Sequence, residues 1–167
     1  YVDRVKMANI AQIANVLQAM VLTKGSQMVK TPTYYVFKMY KVHQGATMIP
    51  LDLNCESRAL PHRTNMHYEG SVPVVSATAS RNTNGEVNIT LANTDLTEKC
   101  ELEIDLGDFA AKKAKAEIIT SADIHDCNNF GAAEKVAIKD FKDAKLSKTA
   151  LKVSLPAHSI VNVTLSL

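Results

Sequence analysis

Two hydrophobic rhythms divide the chain. Residues 3–20 are largely apolar, with polar residues at every third position: Lys6, Asn9, Gln12, Asn15 and Gln18. Read as an α-helix, this run predicts an unusual surface, because a step of three on a turn of about 3.6 residues moves each polar group about 60° backwards around the axis. The polar groups then do not gather on one solvated face. From Asn9 onward they are amides, which suit a helix surrounded by protein at the edge of something larger. A second helix is expected from Thr31, with Thr31 as N-cap, Pro32 at the first helical position, Tyr34, Phe37 and Tyr40 at helical spacing, and Gly45 just past the end.

Beyond Thr47 the period becomes two. Residues 48–53 read as a strand, and residues 54–70 as a polar loop containing Pro61. Val75, Ala77 and Ala79, then Val87, Ile89 and Leu91, alternate with polar residues around Asn82-Thr83-Asn84-Gly85, which predicts a hairpin. Leu102, Ile104 and Leu106 alternate with Glu101, Glu103 and Asp105 in the clearest half-buried strand. Ala116 and Ile118, Val136 and Ile138, Leu151 to Leu155, and Val161 to Leu165 continue the pattern, separated by turn signals at Gly107-Asp108, Cys127-Asn128-Asn129 and Pro156. About eight strands at short spacing predict two packed antiparallel sheets, a β-sandwich, with one side-chain set buried between them and the other facing water or another domain.

Composition narrows the function classes. A formal charge of +2 on 167 residues lacks the basic excess of a nucleic-acid binder, so no nucleic-acid partner is expected. No run reaches the roughly 20 apolar residues of a membrane helix, since Gln12, Asn15 and Gln18 interrupt residues 10–22. Cys55, Cys100 and Cys127 are too far apart for a zinc motif or a disulfide framework and read as ordinary thiols. His62 and His67, five apart in a polar loop, read as solvated rather than metal-bound, and no motif calls for a cofactor or metal. The sequons at Asn88 and Asn162 fall inside strands, and the lysines of residues 112–115 and 139–148 read as solvated surface. The chain starts without methionine, inside the expected helix, so the absence of a signal peptide says nothing about compartment.

Asp3-Arg4-Val5-Lys6-Met7-Ala8-Asn9-Ile10-Ala11-Gln12, then Asn15-Val16-Leu17-Gln18-Ala19-Met20, then Thr31-Pro32-Thr33-Tyr34-Tyr35-Val36-Phe37-Lys38-Met39-Tyr40-Lys41-Val42-His43-Gln44 together resemble one region of one family. That region is the end of the catalytic barrel, and the passage out of it, in bacterial-type α-L-arabinofuranosidases of glycoside hydrolase family 51. The likeness is dense over residues 2–53 and looser afterwards, where Val75-Ser-Ala-Thr-Ala-Ser-Arg81 and Leu155-Pro-Ala-His-Ser159 carry it. It implies that residues 1–45 are a remnant of a (β/α)8 barrel, with two α-helices left over. Residues 46–167 would then be the jelly-roll-like C-terminal β-sandwich.

The resemblance also implies a retaining, exo-acting hydrolase that releases arabinofuranosyl groups from arabinan or arabinoxylan. Such an enzyme needs two carboxylates about 5–5.5 Å apart. The family's settings for them, Asn-Glu and Asp-Glu-Trp, do not occur here, and the chain has no Trp. The nucleophile and acid/base are therefore expected upstream of Tyr1, while Glu101, Glu103 and Asp105 read as a solvated sheet face. In the family the Gln of the Ala-Gln pair hydrogen-bonds the bound arabinose, which carries over to Gln12; its bland alternative is satisfying a buried backbone group. Asn15 reads as structural. The implied partners are an arabinofuranosyl oligo- or polysaccharide through the parent enzyme, the missing barrel, and a second copy in a homo-oligomer. The alternative function is a stand-alone carbohydrate-binding sandwich, although Tyr68, Phe109, Phe130 and Phe141 are too scattered in sequence to form an evident platform.

Overall fold

The structure is a computed structural model that describes residues 3–5, 7–11, 13–59 and 70–167. It is mainly β. A hairpin, β1 (Val21–Lys24) and β2 (Gln27–Lys30), turns at Gly25, whose φ of 59° lies in the left-handed region that glycine adopts without strain. The helix α1 (Pro32–Tyr40) follows and runs into a 3-10 turn, Lys41–His43. Then come β3 (Thr47–Ile49), β4 (Ser57–Ala59), β5 (Ser71–Pro73), β6 (Val75–Arg81), β7 (Val87–Asn93), β8 (Cys100–Asp105) and β9 (Lys113–Ile119). The last strands are β10 (Lys139–Phe141), β11 (Ala144–Leu146), β12 (Ala150–Leu155) and β13 (Ser159–Ser166).

Two antiparallel sheets form the body. One has six strands in the order β10-β9-β13-β7-β6-β3, the other three in the order β11-β12-β8. Val87, Ile89, Leu91, Val161, Val163 and Leu165 of the larger sheet share one buried cluster with Leu151, Val153 and Leu155 of the smaller. Burying each such side chain contributes about 1.5–3 kcal/mol, so this seam dominates the packing energy and fixes the register of every strand that enters it. The β6–β7 hairpin forms where its turn signal stands. The Asn82 carboxamide oxygen accepts the backbone N–H groups of Asn84 and Glu86, both at 3.0 Å, and Gly85 takes φ of 82°.

The opening segment departs from its expected form. Among the described residues α1 is the one α-helix, and residues 3–20 do not make another. Ala14 instead bridges Val21 in parallel, Ile13 accepts the Val21 N–H at 3.1 Å, and Asn15 and Gln18 take φ of 55° and 57°. The physical reason is local. Val5, Ile10, Ile13 and Val16 are β-branched and Asn9 and Asn15 compete for backbone hydrogen bonds, so the run forms a helix poorly unless packing supplies the stability. Among the described residues that packing is thin here, as Met7 is 76% and Leu17 83% exposed.

Smaller differences have similar causes. The Thr31 hydroxyl does not cap α1; it donates to the carbonyls of Ala19 at 2.5 Å and Met20 at 3.1 Å, tying the helix start to the chain before the hairpin. Val136 and Ile138 precede β10 rather than forming a strand, because they pack under α1 with Tyr35, Met39, Ile119 and Ile160. That contact changes the fate of the larger sheet's outer face. Ser80, Asn88, Thr90 and Asn162 point away from the sandwich seam, yet all are buried, covered from within this chain. Both sequons are thereby buried at their asparagines, and the three cysteines are unbridged thiols.

Candidate functional site

Gln12, the sugar-contact candidate, lies outside the described residues; its neighbours Ala11 and Ile13 are exposed. Asn15, read as structural, behaves so. Its carboxamide donates to the Thr23 hydroxyl at 2.8 Å and accepts the Thr23 N–H at 2.7 Å, which holds residues 13–15 against β1. Beside this hairpin, Met20, Tyr34, Phe37, Tyr40 and Gln44 line a shallow, open groove of about 900 Å³ on the face of α1 turned away from the sandwich. The helix thus has two apolar faces, one buried on the sheet through Tyr35 and Met39 and one open, as expected of an element placed between two bodies.

A loop that the sequence pattern marked only as a turn locks the hairpin, the helix and the sheet together. Asn128, 4% exposed, donates to the carbonyls of Lys30 at 2.9 Å and Val136 at 2.7 Å and accepts the Val136 N–H at 2.9 Å. This clamp sets Glu134 beside α1, where its carboxylate accepts the Tyr35 hydroxyl and lies 3.7 Å from the Lys30 ammonium. Burial, reinforced by that hydrogen bond and the Glu134 charge, pushes the Tyr35 phenol up to about 12, so it stays a donor throughout the working pH range. The sequence signal for this loop was Asn128-Asn129 before Phe130, a residue type that bonds its local backbone followed by an aromatic.

Under the 3-10 turn lies a second polar assembly. His43 Nδ1 is 2.7 Å from the Ser80 hydroxyl and Nε2 is 2.7 Å from that of Thr90. Thr90 spends its proton on the Asn162 carboxamide oxygen at 2.9 Å, so it must accept from His43, which makes Nε2 the protonated nitrogen and Nδ1 the acceptor. The chain of bonds ends with Thr164 donating to Asn88 at 2.8 Å. Desolvation holds the His43 pKa below the ordinary histidine value of 6.5. A depressed histidine binds a proton in the unfolded chain before it does so in the folded one, so stability falls as pH drops below 6.5 toward the folded value. Urea titrations from pH 7.5 to 5 should show wild type losing more of its midpoint than His43→Gln; parallel losses in the two proteins would contradict the assignment.

The acids of β8 do not assemble into a reactive pair. Glu101 is paired with Lys99 at 2.7 Å and Glu103 with Lys152 at 3.3 Å on the outside of the smaller sheet, while Asp105 caps the Gly107 N–H at 2.9 Å. Among the described residues Asp95 is the buried carboxylate. It accepts the backbone N–H groups of Thr97 and Glu98 and meets Arg58, and those bonds, the backbone ones foremost, hold its pKa below the usual carboxylate range. The Leu155 to Ser159 patch has a structural explanation. His158 takes φ of 37°, donates its backbone N–H to the Asp95 backbone carbonyl at 2.7 Å, and sets its ring between the carbonyls of Leu96 and Ser121, joining the β12–β13 turn to two neighbouring loops.

Comparison with known proteins matches this geometry to relatives. The family model described as "Alpha-L-arabinofuranosidase C-terminal domain" matches residues 1–159. An "Intracellular exo-alpha-L-arabinofuranosidase" of Bacteroides ovatus is 53% identical over 165 residues, which is 99% of this chain and 31% of that protein. The crystal structure of the GH51 arabinofuranosidase from Xanthomonas axonopodis pv. citri superposes with a TM-score of 0.87 at 38% identity, over 98% of this chain and 32% of the other. The arabinose complex of the Thermotoga maritima alpha-L-arabinofuranosidase shares the fold, with a TM-score of 0.85 at 22% identity over 99% of this chain and 35% of that one. The chain thus spans about a third of the length of the relatives it matches. It belongs to the α-L-arabinofuranosidase C-terminal domain family.

Proposed function

We propose that this chain serves as the C-terminal domain of a retaining, exo-acting α-L-arabinofuranosidase that releases terminal arabinofuranosyl groups from arabinan or arabinoxylan. In this reading a (β/α)8 barrel supplies the nucleophile and acid/base, residues 1–45 complete and leave that barrel, and residues 46–167 form a jelly-roll-like sandwich that braces it. Gln12 reaches the bound arabinose, and the assembly includes a homo-oligomer. The observation that carries the proposal is the pairing of the match over residues 1–159 with an opening segment that leaves Met7, Ile10, Ile13 and Leu17 exposed. A segment of that kind gains its stability from a neighbouring body.

The test is a chimera in which this chain replaces the corresponding third of the Bacteroides ovatus relative. The chimera is expected to hydrolyse an aryl α-L-arabinofuranoside and the 167-residue chain alone to show no turnover. Gln12→Ala in the chimera should lower kcat/KM by about 10–100-fold, the worth of one or two sugar hydrogen bonds. A well-folded but inactive chimera, or turnover by the chain alone, would overturn the reading.

A further inference from the structure

Between the tip of the β1–β2 hairpin and the Asn128 loop lies a pocket of about 330 Å³, lined by other residues than the groove on α1. Gln27, Asn129, Phe130, Gly131 and Glu134 line it. The geometry points to a saccharide subsite here, one that takes a neutral pentose unit of an oligosaccharide. The pocket is at the small end of the range for ligand sites, so it takes a short saccharide and not a folded polymer segment.

Its chemistry selects the class. A half-buried Phe130 supplies an apolar wall for the C–H edges of a sugar ring. Glu134 is a carboxylate and only accepts, and each of its oxygens faces a single protein donor, Tyr35 on one side and Lys30 on the other. Lone pairs remain for hydroxyl donors, and the Glu134–Lys30 pair carries no net charge with which to hold an anionic ligand. The carboxamides of Gln27 and Asn129 add both donors and acceptors of the kind that vicinal hydroxyls require. The site is also held in place before any ligand arrives. Asn128 fixes one wall to β2, and Tyr35 in the buried face of α1 fixes the Glu134 carboxylate, so little ordering cost is left for binding.

The choice of pentose rests on the proposed arabinofuranosidase reading, so the experiment separates the two. Amide shifts of the ¹⁵N-labelled chain are followed during titration with α-1,5-arabinotriose and, separately, with trigalacturonate. Saturable shifts confined to Gln27, Asn129, Gly131 and Glu134 are expected with arabinotriose and none with the acidic trisaccharide. Phe130→Ala and Asn129→Ala, each checked for an unchanged spectrum elsewhere, should weaken the apparent affinity at least tenfold. No saturable shift with wild type, wild-type affinity in both variants, or preference for trigalacturonate would each overturn the proposal. If the pocket fails while the chimera above turns over, the subsite alone is wrong; if the chimera is inactive with Phe130 intact, the enzyme reading is wrong independently.

Discussion

Leu151→Ala should cost about 2–5 kcal/mol, the range for truncating a leucine inside a packed seam. Leu151 is fully buried and sits on the central strand of the smaller sheet, paired with Leu146 on one side and Ile104 on the other, with the larger sheet across from it. Its removal leaves a cavity that neither sheet can close without shifting register, because β12 is held by a ladder on both flanks and the larger sheet packs across from it. Against a total stability of about 5–15 kcal/mol for a domain of this size, such a loss threatens folding at physiological temperature. Urea denaturation measures it directly, as a fall in midpoint at unchanged slope. Leu96→Ala is the control, since that side chain is 58% exposed and should change stability by less than about 0.5 kcal/mol. Equal effects in the two variants would place the core elsewhere.

The second large effect is expected at Asn128. Replacing it by Ala leaves the Val136 N–H and the Val136 and Lys30 carbonyls without their partner, and each buried group so stranded costs about 1–3 kcal/mol. A loss of about 3 kcal/mol is expected overall. Hydrogen exchange should show its location: the Val136 amide speeds up first, followed by the start of α1, while the β7 and β13 amides keep their protection. A loss below about 0.5 kcal/mol, or one spread evenly over the sandwich, would mean that the loop is not the clamp its bonds describe.

These two residues also show what could be read from the chain. Leu151 was legible because Leu151, Val153 and Leu155 alternate with polar residues, and a period of two names the buried set before any partner is known. The β6–β7 hairpin was legible for the same reason, together with an Asn and a Gly whose backbone preferences match the turn. Asn128 was not. Its bonds reach Lys30, 98 residues away, and an isolated asparagine advertises only a turn, so nothing local distinguishes a surface loop from one buried against a helix. Glu134 and Tyr35 are likewise far apart in sequence and adjacent in space. Gln12 was singled out through its resemblance to a family setting rather than through geometry.

The opening segment illustrates the opposite error. Its apolar residues with polar punctuation predict burial, whereas Met7, Ile10, Ile13 and Leu17 are each more than 40% exposed. Secondary structure was the part that could not be inferred. A mixed apolar run of β-branched and amide residues is close to balanced between helix and extended chain, and the balance is tipped by whichever neighbour satisfies its backbone. Here the neighbour is β1, which turns residues 13–15 into a bridged strand end.

By itself the sequence determined the alternation that makes two sheets, the turns that join them, the start of α1 at its proline and the family to which the whole belongs. Each of those depends on neighbours within a few residues or on a recognisable order of residues. Only the tertiary structure decided that Ser80 and Thr90 on the larger sheet's outer face are bonded beneath His43, that one helix serves two faces, and that a loop near residue 130 forms a pocket against the first hairpin. Those outcomes depend on hydrogen bonds and contacts between residues tens of positions apart, whose partners are chosen by packing and leave no periodic trace in the chain.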